Sequence, residues 1–208
     1  MLHYSTVEPT TLSLLKRLMR LEELSTCSLV DGTALSLKFG HRKSIDIDLF
    51  SVEGLDIETI IKALISEFKT DFIYEKQQAK FGLFCYIQNV KIDIIHYPHL
   101  LLKPIEVIDN LKFYSEIDIA AMKINAILGR GVKKDFFDLV ELLKHFNLED
   151  IIDAYQKKYP NQHYLISTPN AHTYFIDAED SPNPISLNNT SWEEVKNTLK
   201  TAVRNYLS

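Results

Sequence analysis

Two aspartates with one residue between them end a segment that is rich in groups suited to phosphate and metal chemistry. The segment is Leu29–Phe50, LVDGTALSLKFGHRKSIDIDLF, and the aspartates are Asp46 and Asp48. Apolar and acidic residues alternate over Ser44–Phe50, which predicts a half-buried strand with Ile45 and its apolar neighbours facing the core. The two carboxylates then project together, about 7 Å apart. This arrangement suits Mg²⁺, a hard cation that takes oxygen ligands.

A third aspartate, Asp93, interrupts the apolar segment Val90–Tyr97. A carboxylate there is costly to bury without a partner. Beside the first strand it would complete a three-carboxylate cluster able to hold two metal ions roughly 3.5–4 Å apart. Two plainer interpretations stay open, in which Asp46 and Asp48 form the wet face of a strand and Asp93 pairs with a lysine. Aspartate is depleted in strands, which favours the metal site.

A Gly-Thr pair, Gly32 and Thr33, lies between a predicted strand and a predicted helix over Thr33–Phe39. Glycine lets the backbone approach a phosphate, and the amides of a helix N-terminus point at it. Asp31 precedes the pair and repels a phosphate unless it caps the helix. An ordinary strand-to-helix turn is the alternative. The chain has no Walker A or GxGxxG pattern, which excludes those nucleotide-binding motifs.

Four further charged residues are candidates for the same site. Arg42, in the cluster before the acidic strand, could bind phosphate oxygens or balance the aspartates. Lys123 lies among apolar residues, so it either reaches water along its stem or meets a carboxylate or phosphate. Asp135 and Asp138 share one face of a predicted helix, as a solvated acidic face or as active-site groups.

The order of predicted strands and helices around these residues indicates an α+β fold. Residues 1–114 are predicted to form a mixed sheet with flanking helices, and residues 115–208 a mainly helical region that completes the site. The boundary lies near Ser115. Besides the elements above, the sequence predicts a strand over Thr26–Val30 and strands over Asp71–Lys76, Phe81–Gln88 and Val90–Tyr97, the last two forming a hairpin. It predicts helices from Thr10 or Thr11, over Leu55–Phe68, Ile117–Leu128, Lys133–Phe146 and Leu148–Tyr159, and from Ser191. The connection from Pro98 to Pro104 is predicted to be irregular, and Pro160–Leu187 mostly loop.

Composition limits the class of protein. The chain has 208 residues, 46% of them hydrophobic, and a formal net charge of −5. It can bury a core, has no apolar run long enough to span a bilayer, and lacks a signal-peptide pattern. The negative charge argues against broad electrostatic binding of nucleic acid. Cys27 and Cys85 lie in apolar segments, which predicts reduced, buried thiols and a cytoplasmic protein.

Four motifs resemble those of the AbiEii/AbiGii-type nucleotidyltransferase toxins. Asp31–Phe50 is similar to the family's first motif, GGTAL followed by GHR-S-DIDLF, and Lys91–Asp93 to its second. The helix segment Asp118–Lys123 resembles the third motif, and Lys134–Leu139 the fourth. The resemblance continues through the C-terminal part and covers nearly the whole chain. The main departure is Asp31, where the family usually has glycine or another small residue.

The resemblance implies a polymerase-beta-like fold and Mg²⁺-dependent transfer of a nucleoside monophosphate from an NTP to an acceptor hydroxyl of RNA, tRNA or protein. It implies the toxin of a toxin–antitoxin or abortive-infection system, with a cognate antitoxin as partner. The implied roles are two metal ions on Asp46, Asp48 and Asp93, phosphate binding by Gly32, Thr33, Arg42 and Lys123, and a fourth-motif acid at Asp138 or Asp135.

Two other functions remain compatible with these residues. One is a non-catalytic nucleotide-binding or partner-binding module on the same fold, which the departure at Asp31 favours and the intact set of acids opposes. The other is a metal-dependent phosphohydrolase that uses the same carboxylates and releases free phosphate rather than pyrophosphate.

Overall fold

The computed structural model describes residues 1–75, 80–129, 131–161 and 171–208. Its strands are β1 (Ser28–Leu29), β2 (Ile47–Ser51), β3 (Phe72–Tyr74), β4 (Gly82–Ile87), β5 (Val90–His96), β6 (Glu106–Ile108) and β7 (Leu111–Phe113). Its helices are α1 (Pro9–Leu18), α2 (Asp31–Phe39), α3 (Ile57–Phe68), α4 (Glu116–Gly129), α5 (Lys133–Leu142), α6 (Leu148–Lys158), α7 (Ala171–Glu179) and α8 (Trp192–Leu207).

Within the residues that the structure describes, the strands form one mixed sheet of seven in the order β3-β4-β5-β2-β1-β7-β6. β2 pairs parallel with β5, and β1 pairs parallel with β7, while the other neighbours are antiparallel. The predicted α+β architecture, a mixed sheet with flanking helices followed by a mainly helical region, is confirmed.

The predicted hairpin between β4 and β5 is also confirmed. Ile87 pairs with Val90, so Gln88 and Asn89 form a two-residue loop. Both loop residues have positive φ, 51° and 63°, as a type I′ turn requires. This tight loop fixes the register that faces Asp93 with Phe84.

Two elements escape the sequence prediction. The hairpin of β6 and β7 follows the connection predicted to be irregular, and each of its strands is only three residues long. α7 lies within the segment predicted to be mostly loop, whose residues 162–170 fall outside the described ranges. Three-residue strands are too short to show a period of two, and the high Pro, Asn and Ser content around α7 hides its helical spacing.

The boundaries of β2 and α2 differ from the prediction. β2 begins at Ile47 rather than Ser44, and Ile45 is 64% exposed, so its predicted place in the core is wrong. α2 begins at Asp31 rather than Thr33. Ile47 and Leu49 are buried as predicted. The strand is shorter because Thr33 and Ser44 hydrogen-bond each other ahead of it, which holds residues 44–46 outside the sheet.

Other helix boundaries follow local chemistry. α1 begins at Pro9, the position where a missing N–H costs nothing, rather than with a threonine cap. Ser191 caps α8 in a capping box with Glu194, as predicted for Ser191. α5 ends at Leu142, before the predicted Phe146.

The core and the cysteines agree with the composition. Cys27 and Cys85 are buried and unbridged, as predicted. Trp192 of α8 contacts the rings of Phe136, Phe137 and Phe175, which joins α8 to α5 and α7. Within the described ranges, no helix is both long and apolar enough to cross a membrane.

Candidate active site

The second and third carboxylates lie side by side on neighbouring strands. Asp48 of β2 and Asp93 of β5 are direct partners in the parallel pair, so their side chains share one face of the sheet. Asp46 immediately precedes β2. The prediction that Asp93 lies beside the first acidic strand is therefore confirmed in the strand register.

Each end of this carboxylate cluster contacts a lysine at the surface. Asp93 Oδ2 accepts a hydrogen bond from Lys91 Nζ at 2.6 Å, and Lys134 Nζ lies 3.4 Å from Asp46 Oδ2. Asp93 Oδ1, in contrast, is buried and has no hydrogen-bond partner in the structure as described. A buried carboxylate oxygen without a partner is unfavourable, and a bound cation satisfies it. The donor set thus fits a hard, oxygen-liganded metal ion.

Crowding of like charges is evident at Asp48. Burial, followed by the neighbouring carboxylates of Asp31, Asp93 and Asp46, raises its pKa to about 7, against the opposing effect of Lys91. Such mutual repulsion disfavours three ionised carboxylates at one place unless positive charge joins them. This electrostatic state supports the interpretation that the cluster binds a cation.

The turn from β1 to α2 brings a fourth acid to the cluster. The Val30 N–H donates to the Asp48 carbonyl oxygen at 3.0 Å, which holds the start of α2 against β2. Asp31 follows with φ 58°, in the left-handed region that glycine adopts freely and aspartate tolerates. The N-cap residue of α2 is Val30, which makes no side-chain capping bond, and Asp31 is the first residue of the helix.

Gly32 and Thr33 each have a specific contact in this turn. A Cβ on Gly32 would lie 2.1 Å from Arg42 Nη2, so a larger residue would collide with the guanidinium. Thr33 is buried, and its hydroxyl contacts both Ser44 Oγ and the Asp46 carbonyl oxygen. Gly32 leaves room for Arg42, and Thr33 positions the segment that carries Asp46 ahead of β2, whether or not their amides also bind phosphate.

A buried ammonium joins the turn to the helical half. Lys123 of α4 is fully buried and contacts Asp31, Asp135 Oδ1 at 2.8 Å and Asp138 Oδ2 at 2.8 Å. Burial alone would lower the pKa of Lys123, but Asp138, Asp31 and Asp135 outweigh it and raise that pKa. Of the alternatives left open by the sequence, Lys123 meets carboxylates and does not extend to water.

Arg42 is the second buried cation, and it is bound to Asp138. Its Nε and Nη2 donate to the two oxygens of Asp138 at 2.6 and 2.8 Å, a bidentate pair, and His41 Nε2 lies 2.7 Å from Asp138 Oδ1. Burial favours the neutral acid, but Arg42 and Lys123 hold the pKa of Asp138 well below its usual value. Arg42 therefore balances an aspartate, but that aspartate is Asp138 of the fourth motif and not one from the acidic strand.

Asp135 and Asp138 are fully buried, so a solvated acidic face on α5 is wrong. Carboxylate oxygens of Asp31, Asp135 and Asp138 lie within 4.8 Å of one another, a spacing at which they could hold a metal ion. The Lys123 ammonium, which contacts all three, already supplies a cation to this group.

Comparison with a protein-family model identifies the family of this chain. Residues 13–204 match the nucleotidyl transferase AbiEii toxin of type IV toxin–antitoxin systems. The chain belongs to the AbiEii nucleotidyltransferase toxin family. The resemblance stated from the four motifs is thereby confirmed, as is membership of an enzyme family that transfers nucleotides.

One curated relative is similar to this chain in sequence, and several solved structures are similar to it in fold. An uncharacterised protein of Aquifex aeolicus is 33% identical over 186 residues, covering 86% of this chain and 87% of the relative. The crystal structure of JHP933 from Helicobacter pylori matches with a TM-score of 0.58 at 19% identity, covering 96% and 92% of the two chains. A second H. pylori structure, a putative nucleotidyltransferase, has a TM-score of 0.56 at 18% identity and 95% coverage of both chains.

The MenT4 nucleotidyltransferase toxin of Mycobacterium tuberculosis is also similar in fold. Its TM-score is 0.54 at 12% identity, covering 91% of this chain and 82% of MenT4. The predicted nucleotidyltransferase fold is therefore confirmed, while the roles of individual residues stay predictions.

Asp31 lies in the site of this AbiEii-family chain with a partner that the sequence did not predict. Asp31 was expected to repel a phosphate or to cap α2, yet it contacts Lys123, which is far away in sequence. The sequence signal for this contact is indirect, an aspartate at a glycine position combined with a lysine in an apolar helix. Neither feature indicates the other as its partner.

Proposed function

We propose that the protein transfers a nucleoside monophosphate from an NTP to an acceptor hydroxyl and requires Mg²⁺ to do so. The observation that carries this proposal is the pairing of Asp48 with Asp93 across β2 and β5, with Asp46 next to them and Asp93 Oδ1 lacking a partner among the described residues. AbiEii-family membership supplies the reaction class.

Asp46, Asp48 and Asp93 would hold the metal. Bound Mg²⁺ would neutralise charge on the phosphates and favour ionisation of the attacking hydroxyl. The N-terminal amides of α2, from Asp31 to Thr33, would bind phosphate oxygens. Lys123 would contribute positive charge on the same side.

The proposed step is a substitution at the α-phosphorus. The acceptor oxygen forms a bond to that phosphorus while the bond to the pyrophosphate oxygen breaks, and the acceptor proton passes to Asp93 or to solvent. We assign Asp93 to the acceptor side because its uncovered neighbours on β4 leave that side open. The protein would accelerate the step by positioning and charge neutralisation.

A cleft beside Asp93 favours an RNA acceptor over a protein one. Its volume is about 520 Å³, and its lining includes Phe84, Tyr86, Lys91 and Asp93. Phe84 and Tyr86 are 37% and 49% exposed, unusually so for aromatic residues at the centre of a strand. Exposed rings next to a cation are the typical platform for unpaired bases, whose stacking does not depend on sequence.

We also propose, from AbiEii-family membership, that the protein acts as a toxin in the cytoplasm and has a cognate antitoxin. Expression in a host cell tests this directly. Growth should stop with the wild type and continue with Asp46→Asn. Co-expression of the proposed cognate antitoxin with the wild type should restore growth.

The decisive experiment is a transfer assay. Purified protein is incubated with Mg²⁺, each of the four NTPs labelled at the α-phosphate, and either total RNA or total protein. We expect label on RNA together with release of pyrophosphate, and a loss of about a hundredfold or more for Asp46→Asn. Asp153→Asn, the same charge change at an exposed position of α6, is the control.

Three outcomes would contradict parts of this proposal. Equal labelling by the wild type and Asp46→Asn would place the site elsewhere. Label on protein alone would exclude the RNA acceptor, and release of free phosphate without transfer would favour a phosphohydrolase.

A further inference from the structure

Asp31 differs in kind from the other two carboxylates that contact Lys123. Asp135 and Asp138 belong to α5 and are fully buried, whereas the Asp31 side chain is 23% exposed. Asp138 is additionally fixed by its bidentate bond to Arg42. Asp31 is therefore the member of this group that can leave Lys123 for water without stranding a charge in the interior.

The position of Asp31 is also the position where a nucleotide phosphate would arrive. Asp31 is the first residue of α2, whose N-terminal amides attract anions. Its carboxylate contacts Lys123, and the N–H of Val30, the residue before it, donates to the Asp48 carbonyl oxygen, so Asp31 lies next to the strand that carries Asp48. A triphosphate bound both to the proposed metal carboxylates and to the N-terminal amides of α2 would reach the same place.

We propose that the Asp31 carboxylate occupies the place on Lys123 that a nucleotide phosphate takes, and that the nucleotide must displace it in order to bind. The inference rests on the proposed nucleotidyltransferase function, and it concerns the regulation of that site. While no substrate is present, Asp31 contacts Lys123 alongside Asp135 and Asp138. It weakens nucleotide binding, because the phosphate must first replace the Asp31 carboxylate at Lys123.

The backbone shows why this competition can be removed cleanly. Asp31 has φ 58°, which glycine adopts at no steric cost, so Asp31→Gly removes the carboxylate without opposing the turn. Asp31→Asn keeps the size and the tolerance for this conformation while removing the charge. In both variants Lys123 retains Asp135 and Asp138, so it stays charged and buried.

The test compares nucleotide affinity in the wild type, Asp31→Asn and Asp31→Gly by titration calorimetry. The probes are ATP, AMP and inorganic triphosphate, each with and without Mg²⁺. We expect ATP and triphosphate to bind about tenfold tighter to both variants, the size of one coupling between neighbouring charges. The affinity for AMP should change less, because AMP carries fewer phosphates toward Lys123. Asp153→Asn should bind like the wild type.

Two results would overturn the inference. If ATP binds the variants no tighter than the wild type, Asp31 does not compete for Lys123. If the variants lose affinity only when Mg²⁺ is present, Asp31 is a metal ligand instead. Melting temperatures of all variants check that each is folded, since the argument concerns binding alone.

The inference and the proposed function fail separately. Tighter ATP binding by the Asp31 variants without any nucleotide transfer would support the competition and count against the transferase. Nucleotide transfer by the wild type, together with unchanged ATP affinity in the variants, would support the transferase and count against the competition.

Discussion

Asp138 shows how one residue can be essential for stability inside a site that looks catalytic. Its carboxylate is fully buried and contacts Arg42, Lys123 and His41 at 2.6 to 2.8 Å. Removing one member of such a group leaves the other charges buried and unpaired, which is the expensive case. Loss of activity on changing Asp138 would therefore not by itself show a catalytic role.

We expect Asp138→Asn to lower the free energy of unfolding by about 3–5 kcal/mol, since Arg42 and Lys123 lose their shared counter-charge. Asp46→Asn should change it by only about 0.5 kcal/mol, because Asp46 is partly exposed and its lysine contact is long, 3.4 Å. Urea unfolding measured side by side, with Asp153→Asn as control, separates the two.

A contrasting result would revise the assignment of Asp138. If Asp138→Asn unfolds at the same urea concentration as the wild type, the buried network is not what stabilises α5. Asp138 would then be a candidate for direct contact with substrate.

The proposed metal carboxylates were partly predictable at the residue scale, because strand geometry is local. The strand patterns place Asp48 and Asp93 on neighbouring strands, as observed, whereas Asp46 precedes β2 and its position does not follow from alternation. The partners of the buried cations were not predictable. Arg42 meets Asp138 across 96 positions of sequence, and several acids were equally suitable in composition.

The elements show a similar division. Long helices such as α4 and α6 match their predicted ranges closely, because the helical signal in their sequences extends over several turns. The hairpin of β6 and β7 was missed although its loop residues, Asp109 and Asn110, both favour turns. β7 is held by pairing with β1, and β6 by pairing with β7, rather than by any pattern of their own.

Strand β4 has one face packed on the core and one face uncovered beside Asp93. Its residues alternate in burial, with Leu83, Cys85 and Ile87 buried and Phe84 and Tyr86 exposed. The two exposed rings leave apolar surface in water and contribute nothing to the core. An acceptor that stacks on them, as proposed above, would account for their presence.

If Phe84 and Tyr86 bind acceptor bases, changing both to serine should raise the KM for RNA about tenfold or more while leaving NTP affinity unchanged. Steady-state transfer with varied RNA, and calorimetry with ATP, measure the two separately. The control is Ile185→Ser, which also replaces an exposed apolar side chain with serine but lies outside β4, at a position that is 67% exposed. An unchanged KM would assign the acceptor to another surface.

The whole molecule is held together by ion pairs that run between its two halves. Lys123 and Asp138, from the helical half, contact Asp31 and Arg42 of the sheet half. At the same interface, Lys38 of α2 contacts Glu116 of α4 at 3.0 Å. The predicted division at residue 114 therefore cuts through the site, and it stays a prediction about chain order rather than about independent folding.

We predict that a fragment of residues 1–114 does not unfold cooperatively and binds neither Mg²⁺ nor ATP, although it contains all three proposed metal carboxylates. Arg42, 3% exposed in the full chain, would lose Asp138, and α2, which packs beside α4 and α5, would lose part of its cover. Burial of a lone guanidinium and exposure of apolar residues on α2 both oppose folding. Co-expression of residues 115–208 should restore cooperative unfolding in a two-chain complex, since every ion pair is then available again. Cooperative thermal unfolding of the isolated fragment, seen by circular dichroism, would show instead that the sheet half folds by itself and that the buried ion pairs only dock the helices onto it.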